Sequence, residues 1–141
     1  MKQLLVVGVS LVILSACGKS ETISENVPPG WTKYGGNAEG TTLYVESATI
    51  SRNGDIAAMW HIFDNRAAET IADVNKQFMS IKGQDEYSCR ERQSRVIATS
   101  FYADNMAKGE LVYSDVNPGK WALVAPGSVD EALLKRACDE K

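Results

Sequence analysis

The sequence is poor in the residues that most often mark a chemical site. It has one histidine and three cysteines among 141 residues, and no H-x-x-x-H, C-x-x-C or Asp-rich pattern offers a metal cage. It also lacks a glycine-rich phosphate loop after a strand and the G-x-S-x-G elbow of α/β-hydrolases. We therefore expect a non-enzymatic protein that uses no cofactor.

Basic residues are in the minority as well. The chain has 15 Lys and Arg against 18 Asp and Glu. Residues 1–16 contain Lys2 and no acidic residue, so the remaining chain has 14 basic and 18 acidic residues and a net charge of −4. Such an acidic domain is poorly suited to nucleic acid or to electrostatic attachment to anionic lipid. We expect no nucleic-acid partner.

A long apolar run is also absent, but a short one opens the chain. After Met1-Lys2, the stretch Leu4–Leu14 is mostly apolar and is too short for the roughly 20 residues that span a bilayer. The next residues complete the motif Leu14-Ser15-Ala16-Cys17, which resembles a bacterial lipobox. The resemblance implies a diacylglycerol on the Cys17 sulfur, cleavage before Cys17 and acylation of the new amine. An ordinary secretory signal with an incidental cysteine is the alternative.

The lipobox divides the chain into three predicted parts. Residues 1–16 are the signal peptide, and residues 17–29 are the lipidated cysteine and a flexible polar tether that ends in two prolines. Residues 30–141 form a single domain. Gly18 follows the cysteine, where aspartate commonly retains such lipoproteins in the inner membrane, so we predict a lipid-anchored protein of the outer membrane. The side of that membrane on which the domain lies is left open.

Two cysteines remain for the folded domain, Cys89 and Cys138. In an oxidising compartment an isolated pair usually forms a disulfide. Two free buried thiols are the alternative.

The clearest local unit is a β-hairpin. Leu43–Ile50 is rich in β-branched and aromatic residues, and Asn53-Gly54 is typical of a tight hairpin turn. The return strand, residues 55–63, is apolar on both faces, which predicts an interior strand. The only convincing helix begins at Ser128, because Ser128 and Glu131 have the spacing of a capping box.

The middle of the chain is harder to assign. Residues 65–79 fit either a loose helix or a long surface loop, with a short strand at 77–81 that ends at Lys82-Gly83-Gln84-Asp85. Residues 87–102 are interpreted as one long strand with a bulge near Gln93-Ser94.

Three side chains are candidate binding residues. On the predicted long strand, Arg90 and Arg92 project opposite Cys89; they form either a basic patch for acidic partners or a solvated face paired with Asp or Glu. His61 is either a sheet residue with one hydrogen-bond partner or, with Met59 on the same strand face, a group that approaches a haem.

The order of these features resembles the surface-adhesin protein E family of Gram-negative outer-membrane lipoproteins. The resemblance covers most of residues 31–138 and is carried by the lipobox and by a series of short motifs, namely Trp31, the strand 43–50, Ser51-Arg52-Asn53-Gly54, Met59-Trp60, the run from Ser88 to Tyr102, and Trp121 with Pro126-Gly127-Ser128 and a terminal helix.

The resemblance implies an α+β fold, in which an antiparallel sheet carries a C-terminal helix tied by a Cys89–Cys138 disulfide. It also implies an adhesin that binds extracellular proteins of a host. A periplasm-facing lipoprotein that binds a small apolar ligand such as haem is the rival interpretation. Envelope proteins as partners, and a homodimer, are left open.

Overall fold

The computed structural model describes residues 27–139. The predicted signal peptide, Cys17 and the tether as far as Asn26 lie outside the described residues. Within residues 27–139, eight strands form one sheet and one α-helix follows them. The strands are β1 (Thr32–Gly36), β2 (Thr41–Val45), β3 (Ser51–Asn53), β4 (Ile56–Ile71), β5 (Lys76–Ser88), β6 (Gln93–Tyr102), β7 (Leu111–Asp115) and β8 (Ala122–Leu123), and the helix is α1 (Val129–Asp139).

Every strand pairing in the sheet is antiparallel. The strands lie in the order β1-β2-β4-β5-β6-β7, while β3 pairs with β4 and β8 pairs with β6. The predicted antiparallel sheet with a C-terminal helix is therefore confirmed. No helix among the described residues is both long and apolar enough to cross a bilayer.

The predicted hairpin at Asn53-Gly54 is confirmed. Asn53 pairs with Ile56 across the turn, and Gly54 has a φ of +60°, which glycine adopts without steric cost. The first strand is shorter than predicted, because β2 ends at Val45 and a 3₁₀ turn occupies Ser47–Thr49. The return strand is an interior strand, as predicted, with β2 and β3 on one side and β5 on the other.

Residues 65–79 form neither a helix nor a surface loop. Strand β4 continues to Ile71 with a bulge between Asp64 and Glu69, a turn follows at residues 72–75, and β5 then pairs with β4 from Glu69–Phe78 to Ile71–Lys76. Most of these side chains are exposed, so they carry no apolar alternation. The extended conformation comes from the backbone hydrogen bonds to β5. That strand also runs unbroken through Gly83, where the sequence predicted an end.

The predicted long strand at residues 87–102 is wrong. Strand β5 ends at Ser88, a four-residue turn follows, and β6 returns antiparallel to β5. Arg92 closes the turn with a φ of +53°, and the turn is braced by Asp55, whose carboxylate accepts the Arg90 backbone N–H at 3.0 Å. The bulge lies farther along, where Gln84 pairs with Ala98 but Asp85 pairs with Val96.

Helix α1 covers one face of the sheet. Its residues Leu133, Leu134 and Ala137 are buried against sheet residues that include Val45, Met59 and Tyr87, whereas Val129 is 52% exposed. Each large aliphatic side chain buried in this way contributes roughly 1.5–3 kcal/mol. We call this the covered face, and the opposite side of the sheet the open face.

Both ends of the helix are anchored. At its start the Glu131 N–H donates to Ser128 Oγ at 3.1 Å, as in a capping box, while the Glu131 carboxylate accepts the N–H of Gly127 rather than that of Ser128, at 2.8 Å. At its end Cys138 forms the predicted disulfide with Cys89. The alternative of two free thiols is thus excluded for the folded chain.

Candidate functional site

The two predicted arginines lie in the β5–β6 turn rather than on a strand. Arg92 Nη2 donates to Glu131 Oε1 of the helix at 2.8 Å. Arg90 is exposed, and its backbone is held by Asp55. The two side chains therefore do not form a patch on the sheet: Arg92 pairs with an acidic residue, and Arg90 projects from the turn.

His61 lies on the covered face. Its side chain is 8% exposed, and its Nδ1 lies 3.6 Å from Asp85 Oδ2 without a hydrogen-bond partner. Nδ1 therefore does not make the expected hydrogen bond. A Cβ on Gly83 would lie 2.6 Å from the imidazole, so the close approach of ring to strand requires glycine. Met59 is fully buried beside it. Haem binding at these two residues would require the helix to move away.

Burial disfavours the charged forms of both His61 and Asp85. Burial lowers the pKa of His61 to about 4 and raises the pKa of Asp85 to about 6. The hydrogen bond that Tyr87 donates to Asp85 Oδ2 at 3.3 Å lowers the pKa of Asp85, and the Asp130 charge at the helix start raises it, so burial remains the main cause of the shift. His61 is therefore neutral above about pH 4 and Asp85 is protonated below about pH 6, so the two side chains are not charged at the same pH.

The open face carries the three tryptophans of the chain. Trp60 pairs with Gln84 across β4 and β5, and the Lys82 ammonium lies 4.9 Å from the Trp60 ring centroid and 5.6 Å from that of Trp31. All three side chains are half-buried. Trp31 also packs on the small apolar cluster of this face.

The third tryptophan, Trp121, lies on the open face beside Arg95, farther along β5 from Lys82. Glu86 pairs with Arg95 across β5 and β6, and the Arg95 guanidinium donates to Glu86 Oε2 through Nε at 2.8 Å. The same guanidinium lies 4.7 Å from the centroid of the Trp121 ring. Since Lys82 and Glu86 are four residues apart on β5, the two tryptophan–cation groups are separated by roughly 13 Å.

We call the set Trp31, Trp60, Trp121, Lys82 and Arg95 the tryptophan face. Half-exposed tryptophan and arginine side chains are the residues most often found at the energetic centre of protein interfaces. Lys82 forms no ion pair with any described residue, so its charge can serve a carboxylate of a partner. Nowhere in the described part of the chain are three or more His, Cys, Asp or Glu side chains grouped to hold a metal ion.

The sequence reasoning missed the tryptophan face. It predicted an interior strand over residues 55–63, which contains Trp60. It ended the following strand at Lys82, however, and gave no role to Arg95. The period-two alternation of Lys82, Gln84 and Glu86 was the available signal, but only the register with β4 and β6 shows which residues they face.

Comparison with known proteins identifies a family for the chain. The family model described as surface-adhesin protein E matches residues 31–139. No curated protein matches the chain.

Solved structures of Haemophilus influenzae protein E share the fold. One matches with a TM-score of 0.60 at 13% identity and covers 81% of this chain and 87% of its own. A second crystal form gives a TM-score of 0.62 at 13% identity, with coverages of 81% and 91%. The protein from a non-typeable strain gives 0.59 at 13% identity, with coverages of 79% and 76%. At this identity the likeness establishes the fold, and the family match extends over most of the sequence. The chain belongs to the surface-adhesin protein E family.

Proposed function

We propose that this protein is a lipid-anchored adhesin of the outer membrane that binds extracellular host proteins, without catalysis, through its tryptophan face. The family supports an adhesin role. The observation that carries the proposal is the clustering of all three tryptophans with Lys82 and Arg95 on the open face. A partner that covers this stripe would bury aromatic surface and bring acidic groups to Lys82.

The competing binding site is the turn that holds Arg90 and Arg92. The exposed Arg90 guanidinium would attract an acidic partner, but residues 89–92 of the turn include no aromatic side chain that could add apolar contact. Charge contacts at such an exposed turn would act mainly on the association rate and would be screened over about 8 Å at physiological ionic strength. The tryptophan face offers both charge and apolar area.

The test compares matched charge removals at the two sites. Immobilised extracellular-matrix proteins would be presented with the wild type, Lys82→Gln and Arg90→Gln. We expect Lys82→Gln to weaken binding at least tenfold, equivalent to about 1.4 kcal/mol, and Arg90→Gln to change it little. The reverse order would assign binding to the turn, and an absence of binding by the wild type to every matrix protein would overturn the proposal.

Two variants that each remove one aromatic ring give a second comparison. Trp121→Ala removes a ring from the tryptophan face, whereas Tyr113→Ala removes a 42% exposed ring that contacts Phe101 at 5.6 Å. Only the first should reduce binding. Thermal unfolding of both variants would separate lost contact from lost folding.

The anchor is a distinct part of the proposal. Metabolic labelling with a fatty acid should tag the wild type and leave Cys17→Ser unlabelled, and the variant should be released from the membrane. Equal labelling of both chains would contradict lipidation at Cys17. Protease treatment of intact cells would then decide whether the domain lies on the cell surface.

A further inference from the structure

A polar groove lies on the open face, at the side of the sheet where Val27 begins the described chain. Its volume is about 720 Å³, within the range of about 300–1,000 Å³ that small-molecule sites occupy. The groove runs between strand β2, the middle of β4 and the loop that holds Asn105–Ala107. Its residues are different from those of the tryptophan face.

The loop that forms one wall is held in an unusual conformation. Met106 and Ala107 both have positive φ values, +55° and +54°, which non-glycine residues adopt only at an energetic cost. The Met106 N–H donates to Asp64 Oδ1 at 2.6 Å, and the Ala107 N–H donates to Ser80 Oγ at 2.9 Å. Asn105 Nδ2 also donates to the Asn65 carbonyl, at 2.9 Å. These bonds preorganise the wall before any ligand arrives.

The groove is cationic within an acidic protein. Lys33, Arg66 and Lys108 line it, although the chain as a whole has a net charge of −3. Neither Arg66 nor Lys108 forms an ion pair with another described residue. The Arg66 side chain passes over Gly40, with Nε 3.4 Å from the position a Cβ would take there. The guanidinium therefore lies next to Gly40, which also lines the groove.

The loop wall, which holds Asn105–Ala107, offers hydrogen-bond acceptors, and the groove has a small apolar floor. Asp104 and Asn105 line this wall and are exposed. Asp64 is also present, but its carboxylate already accepts the Met106 N–H. Met106 and Tyr44, which pack together with Ile62, form the apolar floor. Cations, acceptors and an apolar surface therefore converge on one space.

We propose that this groove binds a sugar acid, a monosaccharide that carries a carboxylate. The ligand carboxylate would accept paired hydrogen bonds from the planar Arg66 guanidinium, a geometry that guanidinium groups favour. Ring hydroxyls would donate to Asp104 and Asn105, and the C–H face of the ring would lie on Met106. The inference does not rest on the proposed protein-binding face.

Simpler ligands match only part of the groove. A doubly charged phosphate would lie near the carboxylates of Asp64 and Asp104, which repel it. A neutral sugar would leave the Arg66 and Lys108 charges unused. A sugar acid has one negative charge for the cations and several hydroxyl groups for the acceptors.

The experiment titrates the full chain in detergent with N-acetylneuraminate and glucuronate by calorimetry. The matched probes are N-acetylglucosamine as a neutral sugar, and acetate and inorganic phosphate as simple anions. We expect the sugar acids alone to bind measurably, with a dissociation constant on the order of 1 mM or lower. In saturation-transfer NMR their ring C–H protons should receive the strongest transfer.

Variants locate the site. Arg66→Gln should weaken sugar-acid binding about tenfold, and Lys108→Gln should weaken it less. Arg90→Gln removes an equal charge in the β5–β6 turn, beside Asp55 just before the start of β4, and should leave binding unchanged. Should Arg66→Gln fail to fold, Lys108→Gln carries the test.

Several outcomes would overturn the inference. Equal binding of acetate or phosphate would reduce the groove to a general anion site, and equal binding of N-acetylglucosamine would remove the role of the carboxylate. Unchanged affinity in both groove variants would place the ligand elsewhere, and no binding of either sugar acid would refute the site. Because Arg66→Gln leaves Lys82 intact, its loss of sugar binding with retained matrix-protein binding would separate this site from the proposed adhesin surface.

Discussion

Polar side chains are buried on one face of the sheet and partly exposed on the other. On the covered face His61 and Asp85 are enclosed beneath the helix, and burial shifts both pKa values toward neutral forms. On the open face Lys82 and Arg95 stay half-exposed and lie over tryptophan rings. The same β4 and β5 strands supply residues to both faces, since neighbouring side chains of a strand point to opposite sides.

This difference separates stability from binding. The helix, the disulfide and the buried pair concern how the chain holds together, so changes there should appear in unfolding experiments. Changes on the open face should appear mainly in binding. Four substitutions test the covered face and its rim, from the largest expected effect to the smallest.

The disulfide should contribute most. Cys138→Ser opens a loop with a sequence separation of 49 residues, for which the chain-entropy estimate is roughly 4 kcal/mol. Urea unfolding of oxidised wild type and variant would measure the loss. If the variant were as stable as the oxidised wild type, the helix would be held by packing alone.

The contributions of His61 and Asp85 to the free energy of unfolding should depend on pH. His61 has a lowered pKa, so the unfolded chain takes up that proton first, and this residue removes stability as pH falls from 6.5 to about 4. Asp85 has a raised pKa, so the folded chain takes up that proton first, and this residue adds stability as pH falls from about 6 to 3.8. The two contributions oppose each other in the wild type.

Asp85→Asn removes one of these contributions and keeps an acceptor for Tyr87. Between pH 6.5 and 4 this variant should lose stability relative to the wild type by an amount on the order of 3 kcal/mol. The mirror variant, His61→Gln, should gain stability relative to the wild type on acidification. Parallel pH profiles for all three chains, measured by urea unfolding, would show that the two groups are not enclosed.

The close approach of His61 to strand β5 should be sensitive to a single methyl group. Gly83→Ala would place a Cβ 2.6 Å from the imidazole, and overpacking of this kind costs about 1–3 kcal/mol. Gly35→Ala is the matched control, because a Cβ there meets no atom within 4 Å. Equal melting temperatures for the two variants would mean that the ring moves aside freely.

The ion pair at the rim should contribute least. Arg92→Gln removes the bond to Glu131 between two partly exposed side chains, and such pairs contribute about 0.2–1 kcal/mol. Arg90→Gln should stay within about 0.5 kcal/mol of the wild type. A larger loss for Arg90→Gln than for Arg92→Gln in urea unfolding would contradict the assignment of Arg92 as the paired residue.

Local features were predictable because their causes act over a few residues. Asn53-Gly54 sets its own turn, the apolar residues on both faces of residues 55–63 identify an interior strand, and Ser128 with Glu131 begins the helix. The Cys89–Cys138 pairing followed from having only two cysteines left for the domain. The tryptophan face had no comparable local signal.

Tertiary structure decided how distant segments meet. Residues 69–71 are extended because they pair with residues 76–78 of β5, and Arg90 and Arg92 lie in a turn because β6 folds back on β5. Trp60, Gln84 and Ala98 become neighbours only through the register of β4, β5 and β6. A one-residue change in that register would move Lys82 and Arg95 to the covered face. The sequence by itself therefore determined the turns, the helix cap and the available cross-link, whereas long-range strand pairing, which depends on backbone hydrogen bonds between segments far apart in the chain, decided which side chains share the open face.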